Sequence, residues 1–409
     1  MISQSITDHL PAGEPLPIPA GFRAAGVRAG IKESGAPDLA VLVADGDCAA
    51  AGVFTTNRIA AAPVQWDRAL LPSTKARAVV VNSGNANAAT GAQGLADARR
   101  TATRAAEVIG CEPGQVLVAS TGVIGHQLPM EKVEAGLARA LDAAAAGEGA
   151  FRAAAGAILT TDTHPKLVAR SVEVAGAAVN LLGMAKGAAM IGPNMATMLG
   201  FLLTDARVGP ADLQAILRDA VDDSFNCISV EGHMSTNDTV LLLASGGVDR
   251  PALNGKDLDV FKHLVRDCCA DLARMIPEDG EGATHLITIE VEGCADVAEA
   301  RAIARAVADS PLVKTAIHGA DPNWGRIVSA AGYAGVPFEE SELSLWLDGV
   351  PLYRGGVPLP FDDAAVSGRL RSERDVQIRL ALGRGPAKAR FWTCDLTAEY
   401  VRLNADYTT

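Results

Sequence analysis

The sequence predicts an α/β (α+β) fold built in layers. Short apolar runs rich in Val, Leu and Ile alternate with alanine-rich segments of helical period along nearly the whole chain. Hydrophobic residues make up 49% of the 409 but aromatic ones only 4%, so Ala, Val, Leu and Ile must fill the core. That much alanine favours helices. No long repeat and no low-complexity linker interrupts the pattern, and this favours layers over a bundle or a sandwich. The length suits two or three domains, or one large layered domain with an appendage.

In chain order, residues 1–20 are proline-rich and polar and read as an arm. Residues 39–44 and 52–56 are β-prone and bounded by Gly and Asp. Residues 76–81 (ARAVVV) predict a buried strand that empties into Asn82-Ser83-Gly84-Asn85-Ala86-Asn87. That loop reads either as a plain helix entry or as the wall of a pocket. A helix follows over 94–109, then a buried strand over 116–119 that stops at Ser120-Thr121-Gly122. Backbone N–H groups at such a strand end can face a developing negative charge. Residues 130–146 predict a helix, and 153–159 lead into Thr160-Thr161-Asp162-Thr163, a helix end or a hydrogen-bonding wall. Strands are expected over 171–180 and 199–204, and helices over 210–221, 256–275 and 295–308. Between them lie a long polar loop, 224–238, with Glu231, His233, Thr236, Asn237 and Asp238, and a strand over 285–291. Residues 318–326 read as a turn network, and the tail from 376 carries two or three strands.

Composition excludes several functions. A net charge of −12 with no Lys/Arg cluster argues against nucleic acid or an anionic membrane as partner. Seven cysteines without a C-x-x-C pair read as reduced thiols, and the scattered histidines give no metal spacing. The Gly280/Gly282 pair lacks the third glycine of a dinucleotide fingerprint, so no cofactor is expected. The apolar window 181–203 is long enough for a bilayer, but Lys186, Pro193 and Asn194 lie within it. No basic-then-apolar leader opens the chain. A soluble, cytoplasmic protein is the expectation.

The stretch 186–199 (KGAAMIGPNMATML) stands apart: glycines, a proline and an asparagine break an apolar run beside Lys186 and Thr197. It reads as a loop feeding a strand, or as the seat of a nucleophile. Threonine needs a base. No G-x-S-x-G elbow supplies one. A threonine freed as an N-terminus would carry its own base, an α-amine of pKa about 7.7–8.0. Small Ala196 would leave its carbonyl open to attack by the Thr197 hydroxyl.

KGAAMIGPNMATML resembles the self-processing segment of the ornithine acetyltransferase (glutamate N-acetyltransferase) family. GFRAAGVRAGIK, GVFTTNRIAAAPV, VVVNSGNANAATG, STGVIG, TTDT, STNDT, EGAT and HGADPNWGRI look like further family blocks in family order, covering almost the whole chain. The resemblance implies an αββα core with a second, smaller domain. It implies cleavage between Ala196 and Thr197 into an α chain, 1–196, and a β chain, 197–409, assembled as α2β2. Thr197 would take the acetyl group from N2-acetylornithine and pass it to glutamate, with acetyl-CoA a further donor in some members. Carried over by position, Thr121 and Gly122 form the oxyanion hole, and Thr163, Lys186, Thr197, Glu281, Asn404 and Thr409 bind substrate. Ala189 and His285 depart from the glycine and lysine that many members carry, which bears on substrate detail. A self-processing aminopeptidase or amidase would share the Thr197 chemistry but use water as acceptor. A binding protein that kept the pocket would stay uncut.

Overall fold

The computed structural model describes residues 16–174, 176–192, 198–247 and 251–406. The first unit runs β1 (Phe22–Val27), β2 (Leu39–Phe54), α1 (Ala62–Arg68), β3 (Ser73–Asn85), α2 (Gly91–Ile109), β4 (Val116–Val123), α3 (Met130–Asp142), α4 (Glu148–Ala157), β5 (Lys166–Val174), β6 (Ala177–Lys186), β7 (Leu199–Thr204), α5 (Pro210–Asp222), β8 (Thr239–Ala244) and α6 (Gly255–Glu278). Its strands form one sheet in the order β4-β3-β2-β8-β7-β6-β5, with β1 also on β2.

The sheet folds over itself at β2. Residues 39–43 of this strand pair with β3 and β1, the register breaks between Val43 and Cys48, and residues 49–54 pair with β8. Such irregularities bend a strand and re-aim it. Side chains alternate along each strand. One set of faces meets in the middle: Ala40, Leu42, Val79, Val81 and Leu117 against Leu182, Met184, Phe201, Leu203 and Leu243, with Phe151 and Ala154 of α4 closing one side. The opposite faces take helices. Val41, Val80 and Val118 pack on Ala102, Ala105 and Leu137 of α2 and α3. Leu181, Leu202 and Leu242 pack on Leu213, Leu217, Val265 and Leu272 of α5 and α6. The result is the expected α–β–β–α stack. Because β7 and β8 are covered on both sides, all their residues are buried, and they read as continuous apolar runs.

The second, smaller unit runs β9 (Leu286–Cys294), α7 (Val297–Ala308), α8 (Pro311–His318), α9 (Trp324–Gly332), β10 (Ser344–Leu347), β11 (Val350–Arg354), β12 (Val357–Pro358), α10 (Asp363–Ser372), β13 (Asp375–Ala381) and β14 (Ala387–Cys394). Its sheet order is β12-β11-β10-β13-β9-β14, around its own apolar core. The last helix, α11 (Ala398–Asp406), returns to the first unit, where Thr397 Oγ1 donates to Gly282 O at 2.9 Å. The folding units thus divide near residue 285, while residues 196 and 197 lie between β6 and β7, antiparallel neighbours in one sheet. Among the described residues, no helix is long and apolar enough to cross a membrane.

Several elements differ from the sequence reading. Residues 171–180 are not one strand but two: 171–174 end β5 and 177–180 open β6, with Val174 facing Ala177 and Gly176 at φ +77°. Period-2 alternation continues across such a tight turn, so the pattern hides it. The helix expected over 130–146 stops at Asp142, and Gly147 leads into a fresh N-terminus, so that α4 already starts at Glu148, ahead of the expected 153–159. The turn network expected at 318–326 is confined to 319–323, because His318 ends α8 and Trp324 to Arg326 open α9.

The α4–β1 contact is closer than a side chain allows: a Cβ on Gly26 would lie 2.1 Å from the carbonyl oxygen of Ala153. Gly26→Ala is expected to lower unfolding stability by about 1–3 kcal/mol through overpacking. A fall in the urea midpoint with unchanged slope checks this.

Candidate active site

Strands β3 and β4 run parallel and end together, with Ser83 opposite Thr121 and Gly84 opposite Gly122. Gly122 has φ +131°, and a Cβ there would sit 2.4 Å from Gly84 C and 2.5 Å from Asn85 N. Only glycine permits this backbone and this approach. Asn237 ties the ends down, its Nδ2 donating to Ala86 O at 2.6 Å and Ser120 O at 2.8 Å. Thr121 is buried, and its hydroxyl faces the last residue of β6, Lys186.

Lys186 is 2% exposed. Its Nζ donates to Thr160 Oγ1 at 2.7 Å and Thr121 Oγ1 at 3.3 Å, and lies 3.9 Å from Asp162 Oδ2. Burial pulls its pKa down, Asp162 opposes that, and Lys166 adds to it. Asp162 Oδ1 accepts Lys166 Nζ at 2.8 Å and the Gly187 N–H at 2.6 Å. Burial works against the Asp162 charge, but Lys186, Lys166 and the Gly187 N–H outweigh it and hold this carboxyl well below the usual range.

Lys166, with no exposure at all, bridges to Asp279 Oδ2 at 2.7 Å. Asp279 also accepts the Thr163 N–H at 3.0 Å and the Thr163 hydroxyl. Two residues on, Glu281 N–H donates to Ala188 O at 2.9 Å, and Asn404 Nδ2 donates to Glu281 Oε2 at 2.8 Å. Of the residues singled out from the sequence, Thr121, Gly122, Lys186 and Thr163 therefore belong to one hydrogen-bonded region. Glu281 and Asn404 form a pair at its side. Ala196, Thr197 and Thr409 lie outside the described residues.

Ile191 and Met198 are each held by hydrogen bonds. Ile191 O accepts the N–H groups of Val230 at 2.8 Å and Gly232 at 3.0 Å. Met198 N–H donates to Asp238 Oδ1 at 3.1 Å, and Met198 O accepts Thr239 N–H at 3.2 Å. Asp238 is wholly buried, and its Oδ2 has no partner among the described residues. Burial pushes its pKa well up. Glu231 is alike: neither carboxylate oxygen reaches solvent or meets a well-formed hydrogen bond among the described residues. Burial, only partly offset by the nearby backbone N–H groups of Ile191 and His233, pushes its pKa up to about 8.

His285 is committed elsewhere. Its Nδ1 is 3.1 Å from Asp395 Oδ2 and its Nε2 2.7 Å from Leu370 O, and the Asp395 contact raises its pKa. Lys166 and Asp279 are the residues that sequence reasoning missed as site members. Lys166 opens a strand whose pattern reads as solvated, and only its pairing opposite Ala185 puts it beside Lys186. Among the described residues, no grouping of His, Cys, Asp and Glu could hold a metal ion.

A layered α–β–β–α enzyme with buried lysines and strand-end hydroxyls gathered beside one interrupted segment is the class this architecture defines. The sequence model of the ArgJ family matches residues 23–409, and the chain belongs to that family. It is 47% identical to the arginine biosynthesis bifunctional protein ArgJ of Rhodopirellula baltica, over 99% of this chain and 100% of that one. It is also 47% identical to the protein of that name from Thermosynechococcus vestitus, over 95% and 96%. Solved structures include the ArgJ protein of Bacillus halodurans, 38% identical over 51% of this chain and 98% of that chain, TM-score 0.49. Another is ornithine acetyltransferase complexed with ornithine from Mycobacterium tuberculosis, 43% identical over 44% and 95%, TM-score 0.39.

Two outcomes follow from the buried charges. Lys166→Met leaves Asp162 and Asp279 buried without their shared cation, so a loss of about 3–5 kcal/mol is expected in urea unfolding. For Glu231 the native pKa lies above the unfolded one, so native protein holds the extra proton between them. Its contribution is full below about 4.5 and is lost as pH rises through about 8. Glu231→Gln removes that loss. Its stability relative to wild type should rise by about 1 kcal/mol per pH unit from pH 5 to 8, measured by urea unfolding across that range.

Proposed function

We propose that this acetyltransferase of the ArgJ family cuts itself between Ala196 and Thr197. Thr197 then carries acetyl from N2-acetylornithine to glutamate. In the first step Thr197 Oγ attacks the Ala196 carbonyl carbon, and the peptide C–N bond gives way to an ester while the Oγ proton passes to the new amine. Water then splits the ester, leaving a carboxylate on Ala196 and a free hydroxyl and amine on Thr197. In the working cycle the α-amine takes the Oγ proton as Oγ attacks the acetyl carbonyl. The same amine returns that proton to the departing amine of ornithine. The unprotonated amine of glutamate then attacks the acetyl ester, the acyl C–Oγ bond breaks, and the α-amine of Thr197 relays the proton leaving the glutamate nitrogen to Oγ, restoring the free hydroxyl.

The contact from Lys186 Nζ to Thr121 Oγ1 at the end of β4 carries this reading. An ammonium that donates to Oγ1 leaves the hydroxyl's own proton free for an acceptor. Beside it, Gly122 holds a backbone that no other residue could adopt. Hydroxyl and backbone N–H donors aimed at one point are what a tetrahedral oxyanion needs. Asp238, bonded to Met198 N–H, supports the reading from the other side, because Met198 N is the peptide nitrogen of the bond following Thr197.

The proposal extends to the assembly. The two fragments, 1–196 and 197–409, stay joined through the β6–β7 pairing and assemble as α2β2 in the cytoplasm. Thr163, Lys186, Glu281, Asn404 and Thr409 bind substrate, and acetyl-CoA serves as a second donor. That last point is supported by the word bifunctional in the names of the relatives.

N-terminal sequencing of the purified protein should find a second fragment beginning Thr-Met-Leu-Gly. Thr197→Ala should remain a single 42.1 kDa chain with acetyl transfer reduced at least ~1000-fold. An uncut wild-type chain that transfers acetyl at full rate would overturn the proposal. So would acetate release that ignores added glutamate.

A further inference from the structure

Glu231 is the one described residue with both carboxylate oxygens buried and unpartnered. Asp67 and Asp238 each have one such oxygen, but their other oxygen holds the N–H of Val118 or Met198. A carboxyl group taken from water without a partner is destabilising by several kcal/mol if ionised. It therefore either keeps its proton or waits for a ligand cation.

Its position points to a ligand. Glu231 lies between two residues whose N–H groups bind Ile191 O, and Glu281 N–H binds Ala188 O. Both glutamates are thus stitched to the same short segment following Lys186. Tyr400 of α11 stands near both: burial first, then Glu231 and Glu281, push its phenol up to about 12. Four residues further along that helix, Asn404 holds Glu281.

The charged and titratable groups around Glu231 are Glu281, Lys314 of α8, Cys394 of β14, Tyr400, and Asp309 beside Gly232. Among the described residues none neutralises it by contact, and the backbone N–H groups of Ile191 and His233 only partly offset its burial. Lys314, the cation that acts on it, donates instead to Thr393 Oγ1 at 2.8 Å and to Cys394 O. Asp309 is held by Ser229 and Arg305.

The proposed reaction poses a problem that this residue answers. The donor and the acceptor share an amino-acid backbone, but ornithine ends in an ammonium and glutamate in a carboxylate. A pocket with fixed charge suits only one of them.

We infer that Glu231 is a specificity-determining residue of the substrate pocket. It is ionised against the side-chain ammonium of ornithine and protonated against the side-chain carboxylate of glutamate. The inference rests on the donor and acceptor assigned above. A carboxyl group poised near neutrality changes state with little outlay, which an ordinary surface glutamate could not do. In the protonated state its O–H donates to the carboxylate of glutamate. In the ionised state it accepts from ornithine.

Calorimetry on the mature, cleaved enzyme tests this, using ornithine and glutamate separately in two buffers of different ionisation enthalpy. At pH 7 ornithine is fully protonated and Glu231 mostly so, so ornithine binding should release roughly 0.9 proton per site. Glutamate binding should release essentially none. In Glu231→Gln the proton release should vanish, ornithine binding should weaken at least ~10-fold, and glutamate binding should stay within ~2-fold, since the amide still donates. Normal fragments on a denaturing gel show that the variant has folded. If it does not fold, the wild-type proton count decides alone. Ornithine binding to wild type without proton release overturns the inference, as does a variant that binds ornithine as tightly as wild type. Either result leaves acetyl transfer through Thr197 standing. A wild-type enzyme that forms no Thr-Met-Leu-Gly fragment fails the earlier reading instead.

Discussion

Two lysines lie side by side out of water, and much of the rest of the site follows from keeping them charged. Lys166 opens β5 opposite Ala185, and Lys186 closes β6, so the hairpin brings them together with negligible exposure. Removing an ammonium from water is destabilising by several kcal/mol even after relaxation. Two adjacent ones also repel. Asp162 lies between them, and Asp279 completes the coordination of Lys166. The network draws the loop after α4 and the C-terminal end of α6 onto the hairpin. Thr163 and Glu281 arrive with them.

The bend in β2 does the corresponding work for the fold. One long strand belongs to both halves of the sheet, so the halves stack and bury a shared middle layer. The ends of β3 and β4 then lie across from Lys186, although they come from the opposite half. Small side chains make this stacking close, as Gly26 against Ala153 shows. A core poor in aromatics has few bulky groups to hold its layers apart.

Where charges are unpaired, the structure is poised rather than finished. Asp238 holds Met198, and Glu231 lies between the two residues that hold Ile191. Asp238 has one carboxyl oxygen and Glu231 two that nothing satisfies among the described residues. In a stable interior such atoms are uncommon. Both stand where acid–base chemistry or a ligand would use them, and both have the raised pKa that burial brings.

The chain alone determined the layered α/β class, the existence of most strands and helices, and the odd character of 186–199. Each of these depends on local pattern: apolar period, glycine and proline breaks, and residue types grouped within a few positions. The strand end at Ser120-Thr121-Gly122 and the pair Thr163 and Lys186 were legible as block motifs for the same reason. Lys166, Asp279 and the solitary state of Glu231 were not legible. A lysine at a strand's start and a carboxylate past a helix look like solvated surface until tertiary pairing takes their water away. Likewise the β5/β6 turn hid within unbroken alternation. Burial and partnership belong to residues more than a hundred positions apart, and only the folded chain decides them.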